Sequence, residues 1–419
     1  MPPKDDFNFP ARPLSADVED ARRLLLEARA ALFEMKRELA ESKAHIKTVM
    51  NWDGDINDAA AVTKAKAEYT ARLKTHVIDN ADRPEAADLM KRMYGLYERM
   101  FPIADEREDF AKLLRVLQDN SNPAAQTEGA PFRQQWIVVE DEKGEIVAAR
   151  YISTFSAARD AEVQKTAGGT QHLTYSFVEP KHRSFGLGDH TMKVAEEEGR
   201  KFIAATYGPD VSPKSINLLQ FCEQNAPLRM TPSQLLEDTC GAKTDQFWRR
   251  DYYEKMGFRE IDYAYTQIPL RPRDEGGESV DFLDLLVRAR PGSLPPESND
   301  NKKDLFAIAA NAVAFHVYNT AKRSFAAGQY EVDADADWIK QAQDLGARDQ
   351  LTIRPRLDFN TMKATVWNSI ERQIQDPGFN RAVFENNKIG EIYGLKQIPP
   401  YTPPQPDPKV TDMKGSKYL

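Results

Sequence analysis

The chain has 419 residues, 57 basic and 65 acidic, for a formal net charge of −8. That acidic balance argues against nucleic acid as a general partner, and no apolar run approaches the ~18 residues of a membrane span. Hydrophobic residues make up 41% of the chain, enough for a sizeable core, and the length allows two or three domains.

Only Cys222 and Cys240 are present. Two cysteines build neither a disulfide framework nor a zinc set, which fits a reducing cytosol. The opening residues, MPPKDDFNFPARPLS, contain no apolar signal region, so a cytoplasmic protein is expected.

Ser15 is a good N-cap, and Asp17, Glu19 and Asp20 follow in the first turn, where a helix dipole favours them. A seven-residue period then places Val18, Leu25, Leu32, Leu39 and Ile46 on one position. Ala21, Ala28, Met35, Ser42 and Val49 fall three residues later. This seam predicts a long helix in a coiled-coil contact, with a second copy of the chain or a helix over 59–78 as partner. Asp53, Asp55 and Asn57 alternate as in a calcium loop. Asp58 stands where that loop needs Gly and Lys64 where it needs Glu, so the segment reads as a turn between helices.

Pro84 opens the next helix, with Leu89, Met93, Leu96, Tyr97 and Met100 on its apolar face. Phe101-Pro102 breaks it, and 106–117 is helical again. No first strand is apparent before Gln135. Residues 135–140 and 145–155 read as strands around the turn Asp141-Glu142-Lys143-Gly144. The polar connection 157–169 is expected to lie over the site.

Thr170–Arg200 organises the chain. Gln171–Val178 suits a buried strand, and Glu179-Pro180 ends its ladder. Arg183-Ser184-Phe185-Gly186-Leu187-Gly188 then opens a helix. Glycines there let backbone approach an anion, with the free N–H groups and dipole of the helix aimed at it. Arg183 adds a charged fork suited to phosphate. The turn is not a Walker loop, since no Gly-Lys-Ser/Thr follows, and it lacks the third glycine of the dinucleotide fingerprint.

Residues 216–222 are expected as a short strand parallel to 173–178, and 223–241 as a long connection shaping the acceptor pocket. A helix over 244–256 stops at Gly257. Residues 258–269 and 280–290 read as long strands around a hairpin turn at 273–277. A Pro/Ser/Asn-rich linker follows, then helices over 304–326, 335–346 and 360–376, and a proline-rich tail. His316 lies near an apolar stripe and reads as a core histidine.

Arg183-x-x-Gly186-x-Gly188, set between strand and helix, resembles the pyrophosphate loop of the GNAT superfamily of acyl-CoA-dependent N-acetyltransferases. Tyr253-Glu254-Lys255-Met256-Gly257-Phe258 resembles the end of that family's tyrosine helix. The resemblance covers about 86–290. It implies an α/β fold with a mixed sheet, divided into a coiled-coil-like helical arm (1–83), a GNAT domain (84–290), a helical C-terminal region (291–398) and a flexible tail (399–419). The two parallel strands are expected to splay at their C-terminal ends, leaving a wedge for pantetheine.

The resemblance also implies acetyl-CoA, or another acyl-CoA, as co-substrate, an amine as acceptor, and no metal. It places the backbone of Phe177 and Val178 beside the pantetheine and acyl carbonyl. N–H groups of Ser184, Phe185, Gly186, Leu187, Gly188 and Asp189 would hold the pyrophosphate together with Arg183. Asp245 stands where family members often carry Asn, a departure at a cofactor contact. Tyr253 is the general acid for the departing thiolate, since a phenol pKa of about 10 lies close to a thiol's about 8.5. Tyr252 is its neighbour and fallback. Glu223 is the first choice of base, ahead of Glu179, His172 and Tyr175, and a water chain to solvent is the alternative to all four. Tyr94, Tyr97, Phe101 and Glu106 either face the acceptor or pack onto the sheet. Two functions follow: an N-acyltransferase, or a catalytically silent CoA-binding scaffold whose working part is the N-terminal helix.

Overall fold

A seven-stranded mixed sheet in the order β1-β2-β3-β4-β5-β7-β6 runs through the molecule. The computed structural model describes residues 16–44, 46–55, 57–101, 108–122, 126, 129–242, 245–268, 273, 279–289, 307–324, 333, 335–354 and 359–393. Glu106, most of the 273–277 turn and the tail lie outside them.

The sheet begins earlier than the sequence suggests. After the short helix α2 (Ile46–Met50), helix α3 (Ala59–Arg72) ends before 78, and β1 (Lys74–Ile78) pairs antiparallel with β2 (Phe132–Glu140). Lys-Thr-His-Val-Ile carries three β-branched side chains, which fit a pleated edge better than a last helical turn. Asp58 starts α3 by accepting the N–H groups of Ala60 and Ala61, so the acidic segment before it serves as a cap and turn.

β2 and β3 (Ile146–Ser156) form the expected hairpin. Asp141 accepts the N–H groups of Lys143 and Glu145, and Gly144 takes φ +78°, the left-handed position the turn requires. β4 (Gly169–Val178) continues the meander, and β5 (Leu218–Asn225) lies parallel to its first residues. β7 (Leu283–Ala289) inserts between β5 and β6 (Arg259–Glu260). The two long closing strands are thus shorter than expected. Tyr263 and Tyr265 leave the ladder to enter the core, where burial of two aromatic rings outweighs further pairing.

Helix α7 (Leu187–Tyr207) and helix α9 (Gln246–Lys255) share one face of the sheet, packing on Ile137, Ile152, Leu173, Cys222 and Leu286. On the other face α4 (Pro84–Met100) and α5 (Phe110–Gln118) cover Trp136, Tyr151 and Phe177. Beside them α10 (Ala310–Ser324) and α11 (Ala336–Gly346) cover Phe155, Phe221 and Val287. The C-terminal helices therefore share one core with the sheet. The connection 157–169 carries the short helix α6 (Ala161–Gln164) and is tied to Asn217, just before β5, away from the end expected to hold the site.

The heptad seam of α1 (Ala16–Ala44) buries Ala21, Leu25, Ala28 and Leu32. They pack on α8 (Pro232–Ala242) and α12 (Phe359–Gln375) of the same chain, neither of the two partners expected. Of the expected connection 223–241, the first three residues belong to β5 and residues 228–241 to this helical layer. Arg29–Glu371 and Arg381–Asp17 ion pairs flank it. Among the described residues no helix is long and apolar enough to cross a membrane. Replacing Leu25, 4% exposed, with Ala is expected to cost about 2–4 kcal/mol, measured as a lower urea midpoint at unchanged m-value.

Candidate functional site

β4 and β5 are hydrogen-bonded only from Gly169↔Leu218 to His172↔Phe221. Beyond that β4 stays on β3 as far as Val178, and β5 stays on β7 as far as Asn225, so the two strands part. An irregularity opposite Tyr151/Ile152 leaves Thr174 as an extra residue, and the faces of β4 exchange there. Before it Leu173 faces α7; after it Tyr175 and Phe177 join the aromatic cluster under α4. The fork itself is fixed by amides. Gln220 Nε2 donates to Gln171 Oε1 (2.8 Å), and Gln171 Nε2 donates to Ala195 O of α7 (2.8 Å) and Thr154 Oγ1 (3.1 Å). Gly199 makes room for that amide, because a Cβ there would strike it.

The glycine turn opens α7 as expected. Gly186 is its N-cap at φ +83°, with no side chain to cap the first turn, and Ser184 also has positive φ, +70°. The N–H groups of Leu187, Gly188 and Asp189 therefore lack intrahelical acceptors. Phe185 and Leu187 are buried beside Tyr69 and Val147 and anchor the turn. Arg183 is held at the loop by Val178 O (3.4 Å) and by Glu38 of α1 (3.7 Å). Gly188 has a role the sequence does not disclose: a Cβ there would clash with the Tyr252 hydroxyl, so the glycine lets α9 close on α7.

Tyr253, 8% exposed, lies on the α7 face of the sheet beside Cys222 of β5 and the Arg150 guanidinium of β3. Burial raises its phenol above the ordinary value, and Cys222 adds to this; Arg150 and Arg249 oppose it. The residue therefore keeps its proton at neutral pH. Arg150, fully buried, donates to Thr191 Oγ1 (3.2 Å) and Gly188 O (3.3 Å) of the α7 first turn. Its only signal in the sequence is a charge inside the apolar run of β3. Asp245 caps α9 through the N–H groups of Phe247 and Trp248 and pairs with Lys363, so both its oxygens are engaged. One turn on, Arg250 pairs with Glu260 (2.7 Å) and Asp284 (3.2 Å), locking α9 to β6 and β7.

Glu223 sits inside β5 rather than after it, on the opposite face from Cys222. Its carboxylate accepts from the Tyr265 hydroxyl and from Gln267 Nε2 (2.6 Å). Both donors come from the segment expected to be a long strand. His172 lies on this face too, and its Nδ1 meets His316 Nε2 (3.2 Å), whose Nδ1 meets Thr170 Oγ1 (3.2 Å). Burial pushes both imidazoles below their usual value, so they are neutral; His316 stacks on Phe221 as a core residue. Tyr94, Tyr97, Phe101 and Tyr175 form one aromatic wall, with the Tyr97 phenol pushed up to about 12 by burial. Glu179 accepts the Lys181 N–H in the turn after β4, beyond the fork. The described residues contain no cluster of three or more His, Cys, Asp or Glu suited to a metal.

No family model matches the chain, and no curated protein matches it in sequence. Solved structures do match over about half of it. An acetyltransferase of the GNAT family from Staphylococcus aureus covers 52% of this chain with 99% of its own (14% identity, TM-score 0.29). Ard1 from Thermoplasma volcanium covers 52% with 97% of its own (12%, 0.27). The spermidine/spermine N-acetyltransferase SpeG from Vibrio cholerae covers 53% with 94% of its own (11%, 0.28). At such identities and TM-scores, nothing about this chain's substrate or chemistry follows from them.

His182, in the 3-10 turn Pro180–His182 before the loop, gives a pH test. Its Nδ1 takes the Tyr69 hydroxyl (2.8 Å), and burial pulls its pKa down to about 4. A folded pKa below the unfolded one means stability present above about 6.5 and lost as pH falls towards the folded value. Urea midpoints are expected to fall over that window, with a shallower fall in His182→Gln.

Proposed function

We propose that the chain is an acyl-CoA-dependent N-acyltransferase, most simply an N-acetyltransferase, working by direct attack of an amine in a ternary complex. The observation that carries this reading is the fork. A helix with uncapped N–H groups begins at Gly186 on one side of it, and the Tyr253 phenol stands on the other, beside β5. Main-chain donors at Ser184–Asp189 suit a diphosphate, and a Cβ built on Gly186 would meet open space, so the approach is clear. The edge of β4 from Leu173 to Val178, unpaired with β5, offers Phe177 and Val178 main-chain groups to an extended pantetheine and to the acyl oxygen.

In this reading the amine nitrogen arrives from the face that carries Glu223 and the aromatic wall. Its proton passes to Glu223, whose second-row donors Tyr265 and Gln267 hold the carboxylate in one orientation. The C–N bond forms, the C–S bond breaks, and the Tyr253 hydroxyl gives its proton to sulfur from the other face. Arg183 takes part in diphosphate binding once it exchanges Glu38 for the ligand. Asp245 contributes as the cap that orients α9 and thus Tyr253. The arm, the GNAT-like middle and the C-terminal region act as one unit, since α1 and α10 both pack against the central part.

Tyr253→Phe is expected to lower turnover about 100-fold or more while CoA affinity changes less than about threefold. Calorimetry with CoA and thiol release against a panel of primary amines measure both. Unchanged turnover removes the acid role. CoA binding without turnover on any amine favours the scaffold reading instead.

A further inference from the structure

Arg150 and Arg250 are buried to the same degree, 0% and 1% exposed, but their surroundings differ. Arg250 has two carboxylates within ion-pair distance. Among the described residues Arg150 has none: it meets a hydroxyl, a main-chain carbonyl and the Tyr253 phenol, and Nη1 has no acceptor in hydrogen-bonding geometry. A fully buried cation is ordinarily compensated by an anion nearby.

The position is specific. Arg150 lies on β3 opposite Ser176, which belongs to the part of β4 not paired with β5. Tyr253 lies against Cys222 of β5. The two side chains thus flank the open edge of β4 from its two neighbours, on the same α7 face. Thr191 and Gly188 hold the guanidinium from above. The titratable groups around it are Tyr252 and Tyr253 from α9 and Cys222 from β5; Asp189 at the exposed start of α7 reaches Tyr252, and from α9 Arg249 reaches Tyr253 and Arg250 reaches Cys222, which also feels Glu223.

We propose that Arg150 is the cation that receives the negative charge of the departing sulfur, the anion that this buried guanidinium lacks, while Tyr253 delivers the proton. The proposal rests on the acyltransferase reading above. As the amine nitrogen bonds to the acyl carbon, the C–S electron pair goes to sulfur. Arg150 stabilises that thiolate electrostatically and keeps its own protons. The Tyr253 O–H proton then moves to sulfur, and solvent restores the phenol. A cation fixed in a dry site needs no reorganisation when the charge appears. The same cation would favour the ionised thiol of the product, free CoA, bound in the same place.

That last consequence can be read without knowing the acceptor. The thiolate absorbance of CoA bound to the full-length protein is titrated against pH, with the desulfo-CoA complex as blank to remove Cys222 and Cys240. The bound thiol is expected to titrate at least about one pH unit below free CoA in the wild type. Arg150→Lys is expected to retain most of the shift and Arg150→Met to abolish it, with Kd for desulfo-CoA within about threefold of wild type by calorimetry in both. A wild-type thiol titrating at or above free CoA overturns the proposal, whatever the variants do. Equal thiol titration in wild type and folded Arg150→Met overturns it too, and leaves the acyltransferase reading standing. Failure of the wild type to bind CoA at all overturns both. If Arg150→Met does not fold, the wild-type and Arg150→Lys titrations decide.

Discussion

Two buried glutamines hold the place where the sheet divides. Gln171 and Gln220 join β4 to β5 side chain to side chain, and Gln171 continues to the backbone of α7. Buried amides tolerate few unmet donors, so the pair fixes three elements to one another at the last parallel residues. Beyond it the ladder stops, the irregularity at Thr174 turns the aromatic side chains of β4 to the other face, and the two strands part. The start of α7, the seat of Tyr253 and the carboxylate of Glu223 are all placed relative to that point.

The central unit was legible because its signals are local. A proline after the strand, a left-handed glycine at position 186 and a glycine stop at 257 each require one backbone conformation, and the structure has the expected strand, turn and helices there. β1 was missed because an edge strand needs only half its side chains buried, and Lys74–Ile78 follows a helix without a glycine or proline between them. The charge on Arg150 was visible in the sequence, but its meaning depends on what lies across the fold. The second glycine was read as a backbone approach to an anion. It also has the Tyr252 hydroxyl as a neighbour, a contact between residues 64 positions apart that no local pattern encodes. Glu223 lies inside β5 rather than just past it, and its two donors come from a segment whose strand pattern is overridden by tertiary burial.

The sheet also explains why α10 and α11 matter to a site they do not enter. His316 fills the space under the fork, stacked on Phe221 and bonded to His172. Two neutral imidazoles in series can each donate once and accept once, so they satisfy one another and Thr170 without introducing a buried charge. The carboxylate of Glu223 is left as the charged group on that face of β5. The polarity of the two faces of the fork is therefore opposite: a cation and phenols under α7, a carboxylate over α10.

The helical layer formed by α1, α8 and α12 has a consequence for how the chain reaches its shape. Its apolar seam draws on residues from both ends of the sequence, Ala21 to Leu32 at one and Val366 to Ile374 at the other. During synthesis on the ribosome the first helix emerges long before its last neighbour exists. Contacts of such sequence separation form late and slowly: the nascent arm keeps its hydrophobic stripe uncovered until α8 has been made, and the seam is complete only once α12 follows.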